Sequence, residues 1–277
     1  MINAPKRHSI YAQIICVIFA IIFFAPFYFI IINSFKTLQQ IYIDPSTWPT
    51  SWSFDNFVRG SRAIKFPKLL WNSTVITVSS IVLINLLGSM ASWKMARSKY
   101  SKAFKIMYIL YILSMIVPFQ TVMIPVVVIT SKLGMMNTRY GLVFLNIGFG
   151  LPLTVFLYHG FIGTVPMALE ESAKIDGAND HQVFWRIVFP LLKPITTTIA
   201  ILNLLWIWND YLLPSLVLHK TAVQTIPIGI NKFFDLYDQQ WDKALSVLLM
   251  SIVPIVVVFL ILQKYFIEGI TSGAVKG

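Results

Sequence analysis

Six apolar runs of about twenty residues each constrain this chain more than any other feature. They cover about 10–32, 72–93, 106–130, 140–162, 194–218 and 244–263, and the only acidic residue inside them is Asp210. A soluble domain has no way to hide six such faces. A bilayer core about 30 Å thick accepts each one as a helix of roughly 20 residues. Backbone groups in hydrocarbon must pair within their own segment, so an all-α membrane protein of six transmembrane helices is predicted. The 57% hydrophobic and 12% charged composition agrees with that class. Lys6 and Arg7 precede the first run, as in a secretory signal. That run is too long for a signal and lacks a small-residue cleavage site, so it reads as a retained span bent at Pro26.

The formal charge of +11 is spread through the connections between runs, which suits anionic lipid headgroups and argues against nucleic acid. The densest basic connection holds Lys94, Arg97, Lys99, Lys102 and Lys105 with no acid, which places it on the cytoplasmic side. Alternation then puts both termini and the 163–193 loop inside, and the loops 33–70, 131–139 and 219–243 outside. Counting every connection, 12 Lys and Arg fall inside and 10 outside, so the orientation rests on the 94–105 loop. Ser53 can cap a short helix starting at Phe54, and Trp48 and Trp52 suit a membrane interface. The second run is rich in small residues, Gly88 among them, which permit close helix packing. Pro118 and Pro125 allow kinks in the third, and Gly148, Gly150 and Pro152 bend the fourth. Cys16 lies within the first run, where it reads as a small buried hydrophobe.

The loop 163–193 is the longest polar interruption in the second half. It reads as two short helices around a glycine. Thr164 can cap the first and Pro166 suits its first turn; Glu170 and Glu171 lie near its positive end. Gly177 can take the left-handed conformation that reverses the chain. Asn179 then caps the second helix in a box with Gln182. Val183, Phe184, Ile187 and Val188 share one face, and Pro190 and Pro194 end the helix and start the next run.

The order Glu171-Ser172-Ala173, Gly177 four residues later, and Ile187-Val188-Phe189-Pro190 resembles the EAA loop of ABC importer permeases. Ser172 stands where that family often has alanine. The segments Phe54-Asp55-Asn56-Phe57 and Trp208-Asn209-Asp210-Tyr211-Leu212-Leu213-Pro214 are similar to segments of sugar permeases. The ending Gly-Ala-Val-Lys-Gly looks like the maltose-type, carbohydrate-importing branch, whose tail can run into the ATPase dimer interface. The resemblance implies the type I ABC importer permease fold in one transmembrane domain over 1–277. It implies a cytoplasmic coupling loop formed by Glu170, Glu171, Ser172, Ala173, Asp176, Gly177, Ala178 and Pro190. In that loop Glu171 would contact the ATPase, while Ser172, Ala173 and Ala178 would be small enough to seat against it. The implied partners are a second permease subunit, two copies of a cytoplasmic ATPase, an extracytoplasmic solute-binding protein and a sugar. The implied location is the bacterial or archaeal cytoplasmic membrane. ATP and Mg would be used by the ATPase, with no cofactor bound by this chain.

Asp210 lies roughly 24 Å along the fifth run at 1.5 Å per residue, beyond the membrane midplane. Two readings stay open for it. An intramembrane acid is a functional-site candidate, and with Trp206, Trp208, Asn209 and Tyr211 it would suit sugar rings and hydroxyls on the substrate pathway. The same residues could instead form an interfacial aromatic belt with one hydrated acid. No phosphate-loop motif occurs, the four histidines are dispersed without zinc spacing, and no nucleophile elbow is present, so no catalytic or metal site is expected. Glu170 and Glu171 point about 100° apart on a helix and make no acid/base dyad. A permease for another solute would keep the docking loop. An ion-coupled secondary transporter would need midplane ionisable groups, for which Asp210 lies too far out.

Overall fold

A computed structural model describes residues 7–98, 100–235 and 238–274. In chain order the helices are α1 Arg7–Ser34, α2 Leu38–Ile43, α3 Asp55–Ile64, α4 Phe66–Arg97, α5 Lys102–Ser114, α6 Phe119–Lys132 and α7 Arg139–Ile162. Then come α8 Ala168–Ile175, α9 Asp180–Val183, a π-helical turn at Phe184–Val188, α10 Phe189–Leu191 and α11 Lys193–Asn209. The last are α12 Leu212–Val217, α13 Ile226–Asn231 and α14 Trp241–Ala274. Among the described residues four helices are long and apolar enough to cross a membrane, or six if each of two bent pairs is one span. Lys99 in the basic loop and the end of the tail, 275–277, lie outside the described residues.

Two of the apolar runs are broken rather than continuous. The expected span 106–130 is two helices, α5 and α6, set 109° apart. Pro118 explains the break: it has no N–H to donate and disfavours helix in the residue before it, so α5 stops at Ser114 and α6 restarts at Phe119. The expected span 194–218 ends at Asn209. Asp210 is extended there (φ −69°, ψ 124°), and α12 restarts at Leu212. The last helix is longer than the 244–263 run, because its polar flanks also have helical backbone.

The chain forms two contact units. The first joins Met1–Pro67 with Gly229–Pro254. In it the loop after α1 is pinned by side chains bonding to backbone. Asn33 Nδ2 donates to the carbonyls of Phe29 (2.8 Å) and Pro45 (2.9 Å), and Asn56 Nδ2 donates to those of Ser34 (3.1 Å) and Lys36 (2.7 Å). Lys36 is buried with its ammonium on the Asp44 carbonyl, and that burial lowers its pKa. Ser53 Oγ accepts from Asp55 N at 3.2 Å, although α3 takes Phe54 as its N-cap. Along α1 the apolar side chains are exposed on every side, from Ile10 through Phe29. Cys16, expected to be buried, is exposed with them. The cause is an apolar sequence with no favoured face.

The second unit joins Lys68–Ile228 with Ile255–Gly277. Its centre is α7, with α5 and α11 packed along it. Close approach rests on small residues: a Cβ on Gly88 would strike Thr154 Cγ2, and one on Gly150 would lie 2.6 Å from Ile84 Cδ1. Polar side chains then bond across the apolar interfaces. Asn146 Nδ2 donates to Ser80 Oγ (3.1 Å), and Ser92 Oγ to the Val155 carbonyl (3.2 Å). The buried Tyr158 hydroxyl lies 2.7 Å from Asn85 Oδ1 and 2.8 Å from Thr196 Oγ1, so α7 touches α4 and α11 through one group. Such contacts average under about 1 kcal/mol each in bilayers, and their number sets which helices are neighbours.

Candidate functional site

Two features of the second unit can carry function: the α8–α9 hairpin and a cavity at the helix breaks.

The hairpin is built as the residues dictate, with one exception at its start. Gly177 has φ +86° and closes α8, with Ala178 N reaching back to the Ala173 carbonyl at 2.9 Å. Asn179 and Gln182 form the reciprocal capping box that opens α9. Thr164 caps nothing. Its hydroxyl donates to the Phe161 carbonyl, and α8 begins at Ala168 with Met167 as an N-cap that makes no side-chain bond. Pro190 does not end the second helix. The chain runs on through the π-helical turn, where Phe189 N donates to the Phe184 carbonyl five residues back. It bends by 73° between Asp180–Leu191 and Lys193–Asn209. A proline has no N–H for the carbonyl four residues back, and a wider turn ahead of it accommodates that loss.

The hairpin's inner side is a hydrophobic core of Tyr158, Ile162, Val183, Phe184, Val188, Leu192 and Ile199. Ala173 and Ala178 are half-buried and pack against that core, where their small size lets the hairpin lie close to it. Glu170 also turns inward. It is 5% exposed, its Oε1 accepts from Arg97 Nε and Nη2 at 2.7 Å, and its Oε2 accepts from Trp93 Nε1 at 3.0 Å. Arg97 Nη2 also donates to the Val165 carbonyl at 3.0 Å. Removing one partner of such a buried pair costs about 3–5 kcal/mol, because a charge is left without compensation. At the hairpin's rim Asp180 accepts from Lys174 (2.8 Å) and Lys94 (3.3 Å). The Lys174 hydrogen bond is the main cause holding the Asp180 carboxyl below its usual pKa.

What remains outward is a stripe at helical spacing: Ala168, Glu171, Ser172 and Ile175, continued by Asp176 and Gly177. Ile175 is 86% exposed, with Met167 and Leu169 beside the stripe. Sequence reasoning missed these apolar members. The available signal was a helix with aliphatic residues on the face away from Val183 and Phe184.

The cavity, about 1010 Å³, forms where the two helix breaks meet α7. Ser114, Met115 and Gln120 reach it from the α5–α6 break, and Asp210 and Leu212 from the α11–α12 break. Broken helices at membrane depth are tolerated where they line a cavity. Of the five residues expected on a substrate pathway, Trp206 and Asp210 line it. Trp208 is buried at 7% exposure, the Asn209 amide bonds back to the Leu205 carbonyl, and Tyr211 is exposed and not part of the cavity lining. Asp210 Oδ1 accepts from Leu212 N (3.0 Å) and Leu213 N (3.4 Å), so one carboxylate oxygen satisfies the first N–H groups of α12 as a cap does, although Tyr211 stands at the N-cap position. Gln120 and Ser114 were not anticipated as lining residues. Among the described residues no three His, Cys, Asp or Glu converge as metal ligands.

Residues 84–272 match the family described as binding-protein-dependent transport system inner membrane component. The chain is 38% identical over 260 residues to a probable starch degradation products transport system permease protein of Thermoanaerobacterium thermosulfurigenes, covering 94% of each. It is 39% identical to a melibiose/raffinose/stachyose import permease protein of Bacillus subtilis, covering 92% of each. It is 37% identical to a multiple sugar-binding transport system permease protein of Streptococcus mutans over the full length of both. In fold it is similar to a chain of a bacterial ABC transporter that imports the acidic polysaccharide alginate. The TM-score is 0.82 at 21% identity, covering 95% of this chain and 99% of that one.

Proposed function

Because the chain belongs to the family of binding-protein-dependent transport system inner membrane components, we propose that it is one membrane-spanning subunit of an ATP-driven sugar importer. It passes a sugar or oligosaccharide, delivered by an extracytoplasmic binding protein, across the cytoplasmic membrane by alternating access. A second permease subunit completes the pathway, and two cytoplasmic ATPase subunits use ATP and Mg. The N-terminus, the basic 94–105 loop and the α8–α9 hairpin face the cytoplasm. The full-length likeness to sugar permeases supports the substrate class.

The observation that carries the mechanism is the outward stripe of the hairpin. Glu171, Ser172 and Ile175 seat in the ATPase, with Ile175 the buried anchor and Glu171 a charged contact at its edge. Gly177 holds the reversal that presents them, and the shared core beneath makes the hairpin a rigid body. ATP binding draws the ATPase pair together and carries the hairpin with it. Helices α7 and α11, which share that core, then re-orient around the cavity holding Trp206, Gln120 and Asp210. Aromatic rings stack on sugar C–H faces, and the amide and carboxylate pair with hydroxyls.

Gentle purification of the tagged chain from its native membrane, followed by mass spectrometry, tests this reading. An ATPase bearing a phosphate loop and a second permease are expected in stoichiometric amounts. A chain that purifies alone while sugar uptake by the cells depends on it would overturn the importer reading.

A further inference from the structure

The last turn of α4 holds the hairpin at two places on opposite sides of Gly177. Arg97 and Trp93, four residues apart, grip Glu170 of α8, and Lys94 reaches Asp180 at the start of α9. The two grips differ in kind. Lys94 and Asp180 are each more than half exposed and 3.3 Å apart, so water and salt screen them. Glu170 and Arg97 have side chains 6% and 14% exposed, and every oxygen of the carboxylate has a donor. Charge-assisted bonds in a fork geometry fix orientation as well as distance. Arg97 also binds the Val165 carbonyl in the link between α7 and α8, so three segments converge on one guanidinium.

A hairpin held only by apolar packing against Trp93, Phe184 and Ile162 could slide over that core, since dispersion contacts are individually weak and non-directional. The fork removes that freedom. We infer that Glu170 is a positioning residue, locked by Arg97 and Trp93, that makes the hairpin and the cytoplasmic end of α4 move as one piece. This rests on the reading that the hairpin docks an ATPase. It adds that α4 receives the movement through a buried ion pair on the hairpin's inner face. Glu170 therefore does not belong to the surface that meets the ATPase, although it is the immediate neighbour of Glu171, which does.

The test uses the complete transporter, with its second permease, ATPase and binding protein, reconstituted in liposomes. Substrate delivered per ATP hydrolysed is measured for wild type, Glu170→Gln and Trp93→Phe. Glu170→Gln keeps the size and removes the charge. Trp93→Phe keeps a ring and removes one donor, and it carries the test alone if Glu170→Gln does not assemble. The expected result is an ATPase that still co-purifies and still hydrolyses ATP, with the transport ratio falling about tenfold for Glu170→Gln and a few-fold for Trp93→Phe. A mere loss of folded protein lowers both rates together and leaves the ratio unchanged, and an unchanged ratio overturns the inference. So does loss of the ATPase from the Glu170→Gln complex at normal permease level, since Glu170 would then belong to the docking surface. Failure of the wild-type chain to hold any ATPase would instead remove the docking reading beneath it.

Discussion

Asp210 does two things that one substitution can separate. Its Oδ1 caps α12 through Leu212 N and Leu213 N, and its carboxylate lines the cavity. Asparagine retains an oxygen in the capping position and removes the charge, whereas alanine removes both. A lost cap costs about 1 kcal/mol. Asp210→Asn is expected to leave the melting temperature of the purified complex unchanged and to lower sugar uptake several-fold. Asp210→Ala should lower both. Wild-type uptake by Asp210→Asn would leave Asp210 only its capping role and return it to the aromatic-belt reading. Residue identity showed that an acid in an apolar run needed an explanation, but not that the backbone turns extended there. The same limit applied to Glu170 and Glu171. Their spacing showed that they diverge, and only the position of Arg97, 73 residues away, decided which one faces inward.

At the scale of elements, the apolar runs announced the long helices, and Gly177, Asn179 and Gln182 announced the hairpin, because those signals are local. The breaks were less legible. Pro118 signalled a kink, but the 109° between α5 and α6 depends on what α6 packs against. Nothing local marked the end of α11 at Asn209, since extended backbone at Asp210 is selected by the cap and by burial of Leu213. The small residues of α4 were recognisable as packing sites, but their partners were not. The structure supplies them: Gly88 lies against Thr154 of α7, a stiff β-branched side chain with little room to yield. Gly88→Leu is therefore expected to force α4 and α7 apart at a cost of about 1–3 kcal/mol. A fall of several degrees in the detergent melting curve would report it, and an unchanged curve would mean that the two helices do not meet as described.

For the whole molecule, the division of labour follows from where polarity is placed. The second unit sets polar bonds between its apolar helices, and the cavity at the helix breaks and the outward stripe of α8 are the two places proposed to meet other molecules. Helix α1 presents apolar side chains all round, as expected of a segment whose neighbours are lipid or another chain. Partner identity was not readable from periodicity or charge, because a docking stripe and a lipid-facing stripe use the same aliphatic residues. The order of residues in the loop pointed to the family, and family membership with full-length sugar-permease relatives supports the rest. The central claim is that the outward face of α8 meets an ATPase while its inward face does not. Cysteine cross-linking tests it most directly, in a Cys16→Ser background that removes the chain's one native thiol. Ile175→Cys in native membranes should form a cross-link to a nucleotide-hydrolysing subunit, and Ala173→Cys, two residues away on the core-facing side, should not. Cross-linking from Ala173→Cys alone, or from neither position in an actively transporting membrane, would contradict the account.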